Sequence, residues 1–307
     1  MTEDIGLWGV PLAILGGAIR VSTPFIFVSI GECLTERSGR INLGLEGTLV
    51  FGAMSAYAVA YHSGSAWLGA LAAAVAGLLF GLLHGWICRL PRVNDIAIGI
   101  ALMIFGTGLA FFFGKPYVQP VAPDLPAIPF GFWSGIPQVQ AALNVNVLFL
   151  AGIALAFAAA WMLKNTRMGL TIRVTGDSAD AARALGIDVN RVRLWSTAAG
   201  GALAGIGGAY LSLYYPGSWN EGISSGQGLM AVALVIFARW NPVNCLYASL
   251  LFGGAGALGA ALQSVGVTSG YYLFYAAPYV LTLGLLIATS SPNRAMPSAP
   301  GELSIVK

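Results

Sequence analysis

Apolar stretches of about 20 residues, the length that crosses the hydrocarbon core of a bilayer as a helix, recur from residue 7 almost to the end of this chain. Only short polar breaks separate them. A soluble fold could not hide so much apolar surface: 9% of the 307 residues are charged, against about 25% in soluble domains. The expected fold is therefore all-α and polytopic, one membrane domain rather than a soluble domain with an anchor. Spans are placed near 7–31, 43–61, 66–88, 96–114, 144–163, 195–215, 226–238, 243–263 and 272–289, which makes about nine transmembrane helices, the seventh of them short. Thr2, Glu3 and Asp4, with no early Lys or Arg, make a poor signal peptide, so the first span is expected to stay in the membrane.

Orientation follows from where the basic residues fall. The segments 32–42, 89–95, 164–194, 239–242 and 290–307 hold 13 of the 15 Lys and Arg residues, the opposite side holds only Lys115, and Arg20 lies within the first span. The N-terminus is expected outside and the C-terminus inside. Arg20 precedes Pro24 by four residues. The favoured reading makes 7–19 an interfacial or tilted segment, with the crossing beginning near Ser22. The alternative is a kinked helix whose Arg faces the protein interior.

Two loops stand out. The outer one, about 115–143, holds six of the 15 prolines together with Tyr117, Phe130, Phe132 and Trp133. Such a loop suits a lid, a docking surface or a plain interfacial connector. In the inner one, about 164–194, residues 176–186 read as a short helix: Asp177 or Ser178 can cap it, alanines favour it, and Gly186 can take the left-handed position that ends it. A compact alanine surface on the basic side suits insertion into a groove of a partner protein, or an ordinary surface helix.

The same residues exclude several functions. A net charge of +3 is too small and dispersed for binding nucleic acid. Cys33, Cys88 and Cys245 are far apart, His62 and His84 begin no metal motif, and no phosphate-binding G-x-x-x-x-G-K-[ST] occurs. Neither a cofactor nor ATP hydrolysis by this chain is expected.

Two interrupted apolar stretches correspond. In one, Glu46-Gly47 follows Asn42-Leu43-Gly44; in the other, Gln227-Gly228 follows Ser224-Ser225-Gly226. With the first helix running outward and the second inward, they form an inverted repeat of the kind transporters build around a pathway. Gly77, Gly81 and Gly85, Gly201 and Gly205, and Gly200, Ala204 and Gly208 form small-residue stripes for close helix packing. Glu46 is the best candidate for a carboxylate at depth, whereas Glu32 and Glu36 are expected to pair with Arg37 and Arg40 across the loop.

The run Gly31-Glu32 through Glu36-Arg37-Ser38-Gly39-Arg40-Ile41-Asn42-Leu43-Gly44-Leu45-Glu46-Gly47 resembles the signature of permease subunits of bacterial ABC importers for nucleosides and simple sugars. The similarity is greatest to the branch served by basic-membrane-protein-type binding lipoproteins. Arg92-Val93-Asn94-Asp95, Gly226 to Ala233 and Trp240-Asn241-Pro242 agree with it, over about residues 18–290. Asp95 stands where Gln is common, and Ala238 where Gly is common. The resemblance implies a permease domain over 1–290 with a cytoplasmic tail over 291–307, sited in the bacterial inner membrane. It further implies an ATP-binding subunit, a second and different permease chain, and an extracytoplasmic solute-binding protein. It makes 176–186 the helix that couples to the ATPase, with Asp177, Ala181, Ala182, Leu185 and Gly186 as its contact residues. Asn42, Glu46, Asn94 and Gln227 are the expected pathway residues. A secondary transporter or channel would share the composition but gives no reason for the 176–186 helix, and a membrane-embedded enzyme lacks a catalytic constellation.

Overall fold

The computed structural model describes residues 9–264, 274, 276–289 and 299–305. The expectations for residues 1–8 and 291–298, and the start of the span placed at 272, lie outside them. The protein is mostly helical. Its long helices are α1 (Gly9–Arg37), α2 (Leu45–Ser63), α3 (Ala66–Ile87) and α4 (Asp95–Gly114), then, after a connecting segment with the short α5 (Pro137–Ala142), α6 (Val147–Asn165). There follow α7 (Arg167–Asp177), the short α8 (Ala179–Ala184), α9 (Val189–Leu213), α10 (Gln227–Phe237), α11 (Pro242–Ser264) and α12 (Ala277–Thr289). Among the described residues, five helices are long and apolar enough to cross a membrane: Gly9–Arg37, Ala66–Ile87, Asp95–Tyr117, Val147–Asn165 and Pro242–Gln263. This is a multi-pass membrane protein. Helices α2, α9, α10 and α12 also lie over predicted spans but fall outside that group.

α1 is the axis of the bundle. Every residue from Ser22 to Glu36 is buried, as a helix wrapped on all sides by others must be. It packs against α9 and α11, while α9 packs against α3 and α2. The glycine stripes account for these contacts. A Cβ on Gly77 of α3 would stand 2.1 Å from the Gly201 carbonyl oxygen of α9, and one on Gly31 of α1 would stand 2.7 Å from that of Gly200. Only hydrogen fits at these crossings, so the helices meet backbone to backbone. The other face of α3 presents Leu71, Val75 and Leu79 outward, as α4 does Ile104 and Phe112, which in water would be an aggregation surface and in a bilayer is ordinary.

α1 runs unbroken through Pro24 from Gly9, so the stretch before Ser22 and the stretch after it form one continuous helix. Arg20 reaches out to the Ala141 carbonyl at the end of α5. The proline-rich segment is folded onto the bundle. Tyr57 Oη donates to the Pro120 carbonyl (2.7 Å) and Leu125 N to the Leu213 carbonyl (2.8 Å). Ala127–Pro129 pairs antiparallel with Asn144–Asn146, Ala127 opposite Asn146. This small ladder departs from the all-α expectation. It forms because prolines keep the chain extended there while Asn146 turns it into α6, its Oδ1 accepting the Leu148 N–H (2.8 Å).

Candidate functional site: a carboxylate-held helix break and a short partner-facing helix

Two irregular segments, residues 38–44 and 214–226, precede α2 and α10 and are partly buried in the bundle. Away from water their amide groups need protein acceptors. Buried carboxylates supply them. Glu32 on α1 is fully buried, and its Oε1 accepts the Asn42 N–H at 2.7 Å. Asn42 Oδ1 in turn accepts the Gly44 N–H (2.9 Å).

Glu46, in the first turn of α2, does the same for α10. Its Oε1 accepts from Ser224 Oγ (2.6 Å) and Gly226 N (3.1 Å), and its Oε2 from Gly228 N (2.6 Å). A carboxylate against the first turn of a helix meets both orphan N–H groups and the positive end of the helix dipole. Gly228 is required there: a Cβ would lie 2.6 Å from the Glu46 Cα. Glu46-Gly47 and Gln227-Gly228 read in the sequence as two copies of one pattern, whereas in the fold the acid of the first copy binds the glycine of the second. Nothing in a single sequence signals that contact.

Beside this junction α2, α4 and the 221–226 turn enclose a cleft of about 490 Å³ lined by Glu46, Met103, Thr107, Phe111, Ser224 and Ser225, among others. That volume suits a small solute. Of the predicted pathway residues only Glu46 lines it. Asn42 is 1% exposed and holds its own turn. Asn94 caps α4 through the Ile96 and Ala97 N–H groups (2.9 and 3.1 Å). Gln227 is half-buried, with its Oε1 unpartnered. Thr107, Phe111, Ser224 and Ser225 went unpredicted.

At the end of the bundle where α1 finishes, the acids and bases do not pair as expected. Arg40 bonds Asp95 and the Cys88 carbonyl, and Arg37 Nε donates to the Trp240 carbonyl (2.8 Å). Glu36 accepts the Trp240 indole N–H. Arg239 and Trp240 sit at φ 51° and 53°, a left-handed conformation costing roughly 1–2 kcal/mol per residue and held here by the burial of Trp240 and its contacts with α1.

The 176–186 stretch is not one helix. α7 ends at Asp177, Ser178 caps α8 by accepting the Ala181 N–H (3.2 Å), and Gly186 at φ 76° ends it as expected. Asp177, Ala181, Leu185 and Gly186 are exposed, Leu185 by 70%. Ala182 is 0% exposed and packs with Ala179 and Val189, so it seats α8 on its own chain and presents nothing to a partner. Glu302, from the short helical turn Gly301–Ile305, accepts the Ala179 N–H (2.8 Å) and a bond from Arg193 (2.9 Å). Burial pushes the Glu302 carboxyl up, but the Ala179 N–H and the Arg193 guanidinium outweigh it and hold the group below the usual carboxylate range.

The family described as "Branched-chain amino acid transport system / permease component" matches residues 14–289. The chain is 31% identical to a nucleoside ABC transporter permease protein of Lactococcus lactis, over 94% of this chain and 95% of that one. It is 30% identical to a guanosine ABC transporter permease protein of Bacillus subtilis, over 85% and 87%. A protein of Haloferax volcanii provisionally named as a glucose ABC transporter permease is also 30% identical, over 93% and 95%.

Proposed function

The chain belongs to the family of the permease component of branched-chain amino acid transport systems, and from that membership we propose that it is the membrane-spanning subunit of an ATP-binding-cassette importer for a nucleoside or simple sugar. The observation that carries this reading is kinship along nearly the whole chain with proteins named as nucleoside, guanosine and glucose ABC permeases. A hydroxyl-rich solute also suits a cleft bordered by Thr107, Ser225 and the Glu221 carboxylate. The subunit is a transport component, not an enzyme; a partner chain hydrolyses the ATP.

Residues 1–290 act as one permease domain of nine crossings in the bacterial inner membrane, with the N-terminus outside and the 164–194 segment and the tail in the cytoplasm. The basic asymmetry supports that orientation. The packing supports an inverted repeat: α1 with α11 mirrors α9 with α3, and α10 with α1 mirrors α2 with α9. A solute-binding protein delivers the solute outside, and a second, different permease completes the pathway. ATP-driven closure of the ATPase pulls α8 through Ala181 and Leu185. The resulting rocking opens the cleft beside Glu46, whose two occupied oxygens make it the clamp of the broken helix rather than a free ligand group.

Co-purification from native membranes in gentle detergent tests the reading. An ATPase and a second permease are expected, with the ATPase lost on Ala181→Glu plus Leu185→Glu. Recovery of a well-behaved chain alone would overturn it in favour of a secondary transporter or channel.

A further inference from the structure

Three other segments, the end of α1, the start of α9 and a strap over residues 299–303, converge on the α7–α8 junction. Gly176 lies against the Arg37 carbonyl, where a Cβ would stand 2.1 Å from the oxygen; a Cβ on Gly301 would stand 2.4 Å from the Asp177 carbonyl. Arg193, in the second turn of α9, donates through Nε to the Ser38 carbonyl (3.1 Å) and through its guanidinium end to Glu302 (2.9 Å). The second oxygen of Glu302 takes the Ala179 N–H (2.8 Å). Ala299 and Leu303 anchor this strap on the apolar cluster around Ile30, Cys33 and Trp240. Without the strap α8 would be a helix of six residues joined to the bundle by α7, by the Ala179, Ala182 and Val189 contact, and by the Ile187–Asp188 turn. Such a short helix has little stability of its own. Among the described residues, Glu302 alone bonds both α8 and α9 through a single carboxylate.

We propose that Glu302 is a positioning residue for energy coupling: it fastens α8 to the start of α9 and the end of α1, so that a pull on α8 moves the two central helices with it. This rests on the reading of α8 as the helix that contacts the ATPase. Coupling passes through packed or bonded elements that share two arrangements, and a carboxylate with a charge-assisted hydrogen bond on each oxygen is such an element. Arg193 is the transmitting partner, because it is held at the same time by the Ser38 carbonyl.

The test uses the assembled complex with spin labels at Arg183→Cys on α8 and Trp195→Cys on α9, both exposed positions. The inter-label distance is read by pulsed electron resonance, nucleotide-free and after ATP–vanadate trapping. The expected parent result is one narrow distance, unchanged by trapping. Glu302→Ala is expected to lose it and show a second population in which α8 has moved without α9. Glu302→Gln keeps an acceptor for the Ala179 N–H but no ion pair, and falls between; Arg193→Gln matches Glu302→Ala. Should Glu302→Ala fail to fold, the two Gln variants decide on the same reading. The parent's narrow distance in the variants would overturn the proposal. Retention of the ATPase by Ala181→Glu plus Leu185→Glu would instead overturn the reading of α8, whatever Glu302 does.

Discussion

Replacing Glu46 with alanine would strip the α10 break of its acceptor. Three donors lose their partner: Ser224 Oγ–H, Gly226 N–H and Gly228 N–H. A buried donor left unsatisfied costs about 1–3 kcal/mol. Ser224 is 4% exposed and Gly228 is buried, while Gly226 is half-buried beside the cleft and can turn to water. Two buried donors therefore set the scale, about 2–6 kcal/mol, with roughly 0.3–1 kcal/mol of it from the α10 dipole. Glu46→Gln keeps the shape and one carbonyl oxygen but turns an NH₂ toward a donor, for about 1–3 kcal/mol. Reversible unfolding in mixed detergent–SDS micelles measures both. A double-mutant cycle with Ser224→Ala isolates one bond, for which a charge-assisted value of about 1.5–3 kcal/mol is expected. Glu46→Ala unfolding within about 0.5 kcal/mol of the parent, the range of substitutions that touch nothing important, would refute the claim that the carboxylate holds the break.

Arg40→Ala leaves Asp95, 7% exposed, as an unpaired buried acid; a loss of about 3–5 kcal/mol is expected, partly recovered by adding Asp95→Asn, in the same unfolding assay. Gly201→Val forces a branched side chain onto the Gly77 carbonyl, 2.2 Å from where its Cβ must sit. Its cost is about 1–3 kcal/mol or more, seen as a lower melting temperature, whereas Gly108→Ala, inside α4 with open space around it, does not lower melting and gains up to about 1 kcal/mol of helix propensity. Because the Glu302 carboxyl is held below its usual range, the fastening it gives is complete above about pH 4–5 and lost only as pH falls through that lowered value. The Arg183–Trp195 label distance should hold from neutral pH to about pH 5 and broaden in stronger acid; broadening near neutrality would contradict it.

Hydropathy and glycine spacing are properties of a segment and its own neighbours, so the positions of the long helices, the small-residue stripes on α3 and α9 and the Gly186 stop were legible in the sequence, but not that those two stripes meet. The contacts that define the site were not. That Glu46 would serve Gly228, or Glu302 would serve Ala179, depends on which elements the fold brings together across more than a hundred residues. Charge proximity in sequence misled for the same reason: Glu36 lies beside Arg37 yet bonds the Trp240 indole, because successive helical residues point to different faces. Asn94 and Asn42 were expected on the pathway for their amide chemistry, and their side-chain oxygens accept from the backbone of their own turns.

The α3–α9 seam has a mechanical meaning. Where two helices touch through side chains, rotamer changes let one slide or roll against the other; where glycine faces a carbonyl at both ends of the contact, as at Gly77 and Gly201, there is nothing to rearrange. These helices travel as one beam. A stroke that opened the chain would then be taken up at joints padded by side chains, such as the one where Phe237 of α10, the short helix that Glu46 pins in place, packs against Phe252 of α11.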